Sequence, residues 1–385
     1  TWNSQSNENK FVGSFKSVFF ISNLTGWISG SNGTIFKTVN GGINFIQQEK
    51  VTTKNLNSIR FISDQTGFAV GDSGIILKTI NGGSNWQLQT TTTNKNLQSV
   101  FMLSADSAWI SGLEGTILKT STGGSSWIIC NSTTTDHLFS IYISDNGIGS
   151  SSGRQIVRTT DFGNSWVVTL PTPPNYLLSL NFPSDSVGYA AGRFWSYKTV
   201  NQGSTWNRIL GSSTGGQDFS SVYFTSENTG YMVGASGEIK TTNGGNNWFS
   251  VEDGYNNVLN SVFFSSALTG WAVGDDGLIL KTTSGGLVSL NENHTITVNE
   301  YILNQNYPNP FNPTTKINFS IPTTRYTILK VYDVLGKEVQ TLVNQKLAPG
   351  NYEVEFDGSD FSSGIYFYRL ETEDYSVAKR MLLTK

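Results

Sequence analysis

The sequence predicts an all-β protein, with a seven-bladed β-propeller closed by the N-terminal strand and a smaller C-terminal immunoglobulin-like β-sandwich. Three observations support this prediction: a repeat of about 40 residues, a turn motif that recurs in most of its copies, and a composition rich in strand and turn formers. The 385 residues include 40 glycines and 12% aromatic residues. Charged residues reach only 14%, against a typical share of about 25%. Aromatic residues favour strands and glycine favours tight turns, so we expect short strands rather than helices.

The charge and the cysteine and histidine content exclude several classes of function. The net charge is −3, from 25 basic and 28 acidic residues, so there is no basic field to hold nucleic acid or an anionic membrane surface. The sequence has no apolar run of about 18 residues, and we expect no membrane insertion by a helix. A single cysteine, Cys130, and two histidines, His137 and His294, exclude an intrachain disulfide and a multi-histidine metal centre. We therefore expect no cofactor and no metal.

Seven copies of the repeat align on a basic residue followed by threonine. Successive anchors are 39 to 42 residues apart, at Lys37, Lys78, Lys119, Arg158, Lys198, Lys240 and Lys281. A four-stranded propeller blade has a period of about 40–45 residues. HEAT-type solenoid repeats have a similar length but need helical runs, and these copies have none. In the sixth copy the predicted strands, named a to d in chain order, cover 221–224, 230–234, 237–241 and 248–251.

The seventh copy stops at Gly286, before its strand d, and the N terminus carries the missing tryptophan. Trp2 precedes Ser17 by 15 residues, the same distance that separates Trp206 from Ser221. We therefore expect the segment around Trp2 to supply strand d of the last blade, which leaves no open sheet edge there. The alternative is an open or six-bladed ring with a disordered N terminus.

The link between strands c and d resembles the Asp-box (BNR) hairpin, S/T-x-D-x-G-x-x-W. In successive copies the aspartate position holds Asn40, Asn81, Thr122, Asp161, Asn201 and Asn243, and the tryptophan position holds Phe45, Trp86, Trp127, Trp166, Trp206 and Trp248. A short acceptor at the first position binds N–H groups of its own turn, and the tryptophan packs against neighbouring strands. We expect structural roles, because only Asp161 keeps the carboxylate that acid–base chemistry would need.

Residues 1–286 resemble the seven-bladed photosystem assembly-factor-like propellers through the pattern G-[WFY]-x-x-G-x-x-G-x-x-x-K-T-x-x-G-G-x-x-W. They are less similar to the sialidases, which share the Asp-box. The best-known members of the first family bind a partner protein and catalyse nothing, so the resemblance implies a binding module. Sialidase activity would require an arginine cluster and a Tyr–Glu pair, and the sequence has no F-R-I-P-like start.

After a predicted linker at 287–303, the C-terminal segment has a different pattern. Alternating apolar residues such as Ile317, Phe319 and Ile321 predict six or seven short strands of an immunoglobulin-like sandwich. The simplest interpretation of this segment is an ordinary immunoglobulin-like module at the end of the chain, with no specialised role.

Residues 304–385 closely resemble the C-terminal sorting domain of type IX (Por) secretion substrates. The motifs lie at 306–315, 336–339, 350–352, 364–367 and 379–380, and their signal residues are Pro308, Pro310, Gly336, Gly350, Gly364, Lys379 and Arg380. The resemblance implies that the type IX translocon and sorting machinery are partners. It also implies a secreted or cell-surface protein of a Gram-negative bacterium.

The candidate ligand site is one rim of the propeller, where b–c turns and d–a loops meet if strand a lines the axis. This rim would carry four acids and three aromatic residues: Asp72, Glu114, Asp275, Asp276, Tyr176, Trp195 and Tyr255. Aromatic rings stack on sugars or clamp peptides, so we expect a non-enzymatic propeller that binds a protein or glycan. The four acids are either solvent-exposed residues that favour turns, or part of a site that binds a carbohydrate or a calcium ion.

Two other functions stay open on the sequence alone. A glycoside hydrolase or lyase would use Asp275 and Asp276, or Glu114, as paired carboxylates. A structural subunit of a surface layer would need self-association and no ligand.

Overall fold

A computed structural model describes residues 2–5, 13–170, 175–211, 217–251, 257–286, 301–306, 308–347 and 350–385. The chain divides into two compact units, Thr1–Ser289 and Leu290–Lys385. Within the described residues, every regular element is a β-strand except three short 3₁₀ turns at Ser31–Gly33, Asp72–Gly74 and Asp275–Gly277. The predicted all-β class is therefore confirmed. No helix in these ranges is long and apolar enough to cross a membrane.

The first unit consists of four-stranded antiparallel sheets in repeats, seven of them in the part of the chain described. In chain order the strands are β1 (Asn3–Ser4), β2 (Phe15–Phe20), β3 (Gly26–Gly30), β4 (Ile35–Thr38), β5 (Ile46–Gln47), β6 (Leu56–Phe61), β7 (Gly67–Gly71), β8 (Ile76–Thr79), β9 (Gln87–Leu88), β10 (Leu97–Met102), β11 (Ala108–Gly112), β12 (Ile117–Thr120), β13 (Ile128–Cys130), β14 (Leu138–Ile143), β15 (Gly149–Gly153), β16 (Ile156–Thr159), β17 (Val167–Leu170), β18 (Leu177–Asn181), β19 (Gly188–Gly192), β20 (Trp195–Thr199), β21 (Asn207–Gly211), β22 (Phe219–Phe224), β23 (Gly230–Gly234), β24 (Gly237–Thr241), β25 (Phe249–Val251), β26 (Leu259–Phe264), β27 (Gly270–Gly274) and β28 (Ile279–Thr282). Sheets 1 to 6 take four consecutive strands each, from β2 to β25, and sheet 7 has the order β1-β28-β27-β26.

In five of the seven repeats the basic anchor forms a hydrogen bond to the next sheet. On strand c of sheet 2, Lys78 pairs across the sheet with Phe68 of strand b, and its ammonium lies 5.9 Å from the centre of that ring. The same ammonium donates to the carbonyl of Gly123 in the Asp-box turn of sheet 3, at 2.6 Å. Lys240 reaches Gly285 of sheet 7 in the same way, at 2.7 Å. The spacing of the anchors therefore reflects a contact between neighbouring sheets as well as a position within one sheet.

The N-terminal strand β1 lies at the outer edge of sheet 7. Its two residues pair with Lys281 and Leu280 of β28. Trp2, just before β1, is only 4% exposed and meets Phe264 edge-on at 5.8 Å between ring centres. On the inner side, β2 of sheet 1 packs against β26 and β27 of sheet 7. The N terminus thus contributes the strand that the seventh sequence repeat lacks.

A serine on strand a links each sheet to the following one. It is the third residue of the strand in all seven sheets: Ser17, Ser58, Ser99, Ser140, Ser179, Ser221 and Ser261. In six of the junctions its Oγ accepts a hydrogen bond of 3.0 to 3.3 Å from a backbone N–H of the next strand a. One of these six joins Ser261 of sheet 7 to Val18 of sheet 1. Strand a is the inner edge of its sheet, so these N–H groups need an acceptor from outside the sheet.

The Asp-box-like turns are closed by their own side chains. In sheet 2, the N–H of Gly83 donates to Thr79 Oγ1 at 2.9 Å, and the N–H of Asn85 donates to Asn81 Oδ1 at 2.9 Å. The corresponding oxygens of Asn40, Thr122, Asp161, Asn201 and Asn243 accept the same bond. The motif tryptophans pack inward: Trp86, Trp127, Trp166 and Trp206 are buried, and Trp248 is partly buried. This geometry supplies a structural reason for each motif residue.

The second unit contains two sheets that share one core. Its strands are β29 (Ile302–Leu303), β30 (Thr314–Ile321), β31 (Arg325–Tyr332), β32 (Glu338–Leu347), β33 (Gly350–Asp357), β34 (Gly364–Glu371) and β35 (Ser376–Leu383). One sheet has the order β29-β30-β33 and the other β32-β31-β34-β35. Phe319, Leu329 and Tyr368 belong to the common core. Leu303 is buried in this core at 4% exposure, so the ordered strands begin inside the predicted linker 287–303. Residues 287–300 of that linker lie outside the described ranges.

Replacing Ser261 by alanine should lower the free energy of unfolding by about 1 kcal/mol or more, because the Val18 N–H loses its acceptor. All ten tryptophans lie before residue 287, so tryptophan fluorescence during urea unfolding reports the first unit within the full chain. The matched control is Ser84→Ala, at an exposed serine, which we expect within about 0.5 kcal/mol of wild type. Equal stability of the two variants would refute a role for the serine contacts.

The dependence of stability on acidic pH should show how much the Asp161 carboxylate stabilises the fold. Hydrogen bonds from the hydroxyl and the N–H of Ser165, and from Thr159, lower the pKa of Asp161 to about 2. Because this pKa lies below the unfolded value of about 3.9, the carboxylate stabilises the fold above about pH 4, and the contribution is lost as the pH falls towards 2. We expect the effect to be small at this exposed site.

The comparison for this effect is Asp161→Asn, which installs the residue found at the same position in four other sheets. Its urea midpoint should change less than that of the wild type between about pH 4 and about pH 2.5. An identical pH dependence in both proteins would show that Asp161 is not the group involved.

Candidate functional site

The first unit presents two different faces, because connections in an antiparallel sheet alternate between its two ends. The a–b and c–d turns lie at one end, the Asp-box face, and the b–c turns and d–a loops lie at the other, the loop face. On the loop face, sheets 2 and 3 each bind a turn of the sheet before them. The N–H of Asn32 donates to Asn55 Oδ1 at 3.1 Å, and the N–H of Ser73 donates to Asn96 Oδ1 at 2.9 Å. Asn32 and Ser73 have φ of 56° and 58°, so these bonds hold a conformation that side-chain-bearing residues rarely adopt.

Two of the predicted rim acids bind asparagine side chains of adjacent strands and loops. Asp72 accepts hydrogen bonds from the amides of Asn55, at 2.9 Å, and Asn57, at 3.0 Å. Asp275 accepts one from the amide of Asn260, at 2.9 Å, and another from the hydroxyl of Ser14. Burial opposes the ionisation of Asp275, but the bonds from Ser14 and Asn260 and the nearby Lys16 outweigh it, so its pKa lies below the ordinary value.

The other two rim acids are also engaged locally. Asp276 accepts a hydrogen bond from the amide of Asn257 at 3.0 Å, and Glu114 forms an ion pair with Lys95. Within the described ranges, no three His, Cys, Asp or Glu side chains converge in a way that could hold a metal ion. All four acids thus contribute to contacts between turns and loops.

One segment of the loop face brings charged and aromatic side chains together. The N–H of Glu114 donates to His137 Nδ1 at 3.1 Å. The imidazole of His137 is nearly parallel to the ring of Tyr176, with 16° between the planes and 6.2 Å between centres. Phe139 meets Tyr176 edge-on at 5.5 Å. We call Lys95, Glu114, His137, Phe139 and Tyr176 the loop-face cluster; its three rings are partly exposed.

The structure places Trp195 in the core, which corrects the expectation that its ring is free for a ligand. Trp195 is the first residue of β20, is 9% exposed and packs with Trp206. The guanidinium of Arg208 lies 4.5 Å from the centre of the Trp195 ring. The preceding residue, Phe194, is the exposed one, at 37%. Tyr255, the remaining predicted aromatic residue, lies outside the described residues.

Three members of the cluster were not predicted as site residues: Lys95, His137 and Phe139. The signal for His137 was in the repeat itself. The residue before strand a is Asn55, Asn96 and then His137 in consecutive copies, and each of the three accepts the N–H of a b–c turn in the preceding sheet. An alignment of this position would have identified His137 as a turn-binding residue next to Glu114.

In the second unit, the sorting-signal residues lie at turns, strand starts and one edge strand. Gly336 has a φ of +78° in the β31–β32 turn, Gly350 and Gly364 begin β33 and β34, and Lys379 and Arg380 lie on β35. The proline segment is held by Asn306, which is buried and donates to the carbonyl of Pro308 at 3.1 Å. Pro310 is followed by Phe311, which is buried in the common core.

Two family models match parts of the chain. Residues 305–384 match the secretion system C-terminal sorting domain, and residues 1–80 match the photosynthesis system II assembly factor YCF48. Among curated proteins, none matches the chain by sequence.

Several solved structures are similar in fold. YCF48 bound to D1 peptide has a TM-score of 0.62 at 19% identity, covering 74% of this chain and 95% of that one. YCF48 from Cyanidioschyzon merolae has a TM-score of 0.60 at 17% identity, covering 73% and 98%. The extracellular domain of a one-component system from B. thetaiotaomicron has a TM-score of 0.58 at 12% identity, covering 97% and 57%. At these identities the similarity establishes the fold alone. The chain thus joins a YCF48-like propeller domain with Asp-box-like repeats to a C-terminal sorting domain of the secretion-system type.

Proposed function

We propose that this protein is a non-enzymatic propeller displayed at the cell surface, which binds a glycan, or a protein, through the loop-face cluster. Its export is assigned to the type IX secretion machinery, because the tail matches a secretion-system sorting domain. The observation that carries the binding proposal is the group of three neighbouring, partly exposed rings at Tyr176, His137 and Phe139.

The chemistry of the cluster suits a sugar ring. An aromatic face packs against the apolar face of a pyranose, and polar groups at its margin fix the hydroxyls. His137 uses Nδ1 as an acceptor for the Glu114 N–H, so the neutral imidazole carries its proton on Nε2. That Nε2–H, with the charged groups of Lys95 and Glu114, supplies donors and acceptors beside Tyr176.

The rim acids favour binding over glycoside hydrolysis. A glycosidase of the usual kind needs two free carboxyl groups about 5–9.5 Å apart, one of them with a raised pKa. Glu114 is paired with Lys95, and the pKa of Asp275 is lowered rather than raised. Asp275 and Asp276 both accept hydrogen bonds from asparagine amides. These engagements support a structural assignment for the acids and argue against the hydrolase or lyase alternative.

We also infer that the seven sheets close into a seven-bladed propeller over 1–286, and that the second unit is an immunoglobulin-like sandwich. Three contacts between sheets 7 and 1 support closure. Ser261 accepts the N–H of Val18, the indole of Trp271 stacks on Phe20 at 3.5 Å, and its Nε1–H donates to the carbonyl of Gly41 at 3.3 Å. An open or six-bladed arrangement would leave these groups without partners.

Replacing Tyr176 by alanine should weaken glycan binding by about tenfold, since stacking on an aromatic ring contributes roughly 1 kcal/mol or more. The measurement is a glycan array with the full chain, followed by calorimetry with the best-bound sugar. Tyr176→Phe keeps the ring and should retain most of the affinity.

The matched control for Tyr176→Ala is Tyr326→Ala, at a tyrosine of the second unit that is 50% exposed; it should bind like wild type. A wild-type chain that binds no glycan on the array would contradict the glycan assignment. Undiminished binding by Tyr176→Ala would move the site away from the loop-face cluster.

Removing residues 301–385 should abolish surface display, because the translocon would lose the domain that it selects. We expect the truncated chain to accumulate in the periplasm of a host with a type IX system, whereas the full chain reaches the exterior, as measured by immunoblotting of cell fractions. The full-length Tyr176→Ala variant should be exported normally and serves as the control. Truncated protein at wild-type surface levels would disprove the export assignment.

A further inference from the structure

A cavity of about 530 Å³ lies in the first unit and is lined by strand a of all seven sheets. The fifth residue of strand a contributes to the lining in every sheet: Phe19, Arg60, Phe101, Tyr142, Asn181, Tyr223 and Phe263. Among the described residues that line the cavity, only Arg60 has a charged side chain. Five of the other six residues at this position are phenylalanine or tyrosine and the sixth is asparagine, so sheet 2 is the one sheet with a charged residue there.

The guanidinium of Arg60 is surrounded by rings rather than by acceptors. Its central carbon lies 4.8 Å from the centre of the Phe19 ring and 5.2 Å from that of Phe101. Within the described part of the chain, no ion pair or hydrogen bond joins Arg60 to a protein acceptor. Burial lowers the pKa of Arg60, and the nearby Tyr223 and Tyr142 only partly oppose this, which indicates the desolvation that the cation experiences.

Aromatic contacts leave the hydrogen-bond donors of Arg60 available to a ligand. A ring attracts the positive charge, but it offers no oxygen to the five N–H donors of the guanidinium. Arg60 is only partly buried, so these donors are open to the cavity. A carboxylate suits them, since its two oxygens match two parallel N–H groups of the guanidinium and form charge-assisted bonds.

The rest of the cavity selects the body of the ligand. Phe19, Phe101 and Phe263 provide apolar walls, and the volume is within the range of about 300–1,000 Å³ that small-molecule sites occupy. Desolvation, followed by the charges of Asp185 and Asp145, raises the pKa of Tyr142 to about 12. The negative charges of these two acids therefore reach the cavity lining, and they would repel a ligand with several negative charges.

We propose that this cavity binds a small monocarboxylate with an apolar body, whose carboxylate is held by Arg60 and whose body packs against the surrounding rings. The site is separate from the loop-face cluster: none of the cluster residues lines the cavity. Its ligand is a small acid, whereas the proposed ligand of the cluster is a glycan or protein. Failure of one proposal therefore leaves the other standing.

The test is calorimetric titration of the full chain with 4-phenylbutyrate and with its uncharged analogue, 4-phenylbutanamide. Arg60→Phe removes the charge and installs the residue that three other sheets carry at this position, so the variant is compatible with the fold. Arg208→Gln removes a cation outside the cavity and is the matched control; Arg208 is exposed and lies over Trp195.

We expect wild type and Arg208→Gln to bind 4-phenylbutyrate equally, and Arg60→Phe to bind it about tenfold to a hundredfold more weakly. Arg60→Lys keeps the charge but loses the two-pronged geometry, and its affinity should fall between these values. The amide should bind wild type no better than it binds Arg60→Phe.

The proposal is overturned if wild type does not bind 4-phenylbutyrate up to about 10 mM, or if Arg60→Phe binds it as well as wild type does. Should Arg60→Phe fail to fold, the Nε–H resonance of Arg60 in the wild-type NMR spectrum gives a second measurement. A shift of that resonance with the acid but not with the amide supports the site, and no shift with either refutes it.

Discussion

The inner strand of each sheet has an edge that its own sheet cannot satisfy, and the arrangement of the first unit depends on how that edge is paired. Backbone N–H groups facing away from strand b need an acceptor, and the serine at the third position of the preceding strand a supplies one. Farther from the inner edge, the aromatic residue of strand b and the basic residue of strand c also bind the next sheet. Trp27 donates to the carbonyl of Gly82, and Lys78 donates to that of Gly123. Each sheet is therefore completed by its neighbour. This explains why the repeat length varies so little, since an inserted residue would displace several intersheet bonds at once.

Sequence reasoning predicted the strands and the Asp-box-like turns because both depend on local chemistry. Alternating apolar residues and a Thr-x-Asn-x-Gly turn are determined by residues within a few positions of one another, as the bonds within 79–85 show. The errors concern contacts between residues far apart in sequence. Whether Trp195 is buried depends on its packing with Trp206 and on Arg208, and the role of His137 depends on a turn 23 residues earlier, at Glu114. No local pattern reports such contacts; only the alignment of repeat positions with a known sheet arrangement does.

Both candidate sites occur where the repeat departs from its own pattern. His137 replaces an asparagine yet still accepts the N–H of the preceding turn, so the ring adds an aromatic face at little cost in stability. Tyr176 occupies the same position one sheet later, where its backbone carbonyl accepts the N–H of Arg193 from the b–c turn of its own sheet. A repeat protein can gain function in this way, because a side chain that still makes the intersheet bond can differ in its other properties. Loop residues of this kind are also where binding sites concentrate on rigid scaffolds.

The cost of placing charge in the cavity explains why its lining has one arginine with aromatic neighbours. A ring of several cations around one axis would be repulsive, and a cation among carboxylates would be neutralised and unavailable to a ligand. Arg60 instead lies between Phe19 and Phe101, where the ring quadrupoles offset part of its desolvation without occupying its hydrogen-bond donors. The charge is then tolerated in the unliganded protein, and the N–H groups stay available to an oxygen anion. Aromatic neighbours therefore make a partly buried arginine compatible with both the empty and the occupied cavity, which an acidic neighbour would not.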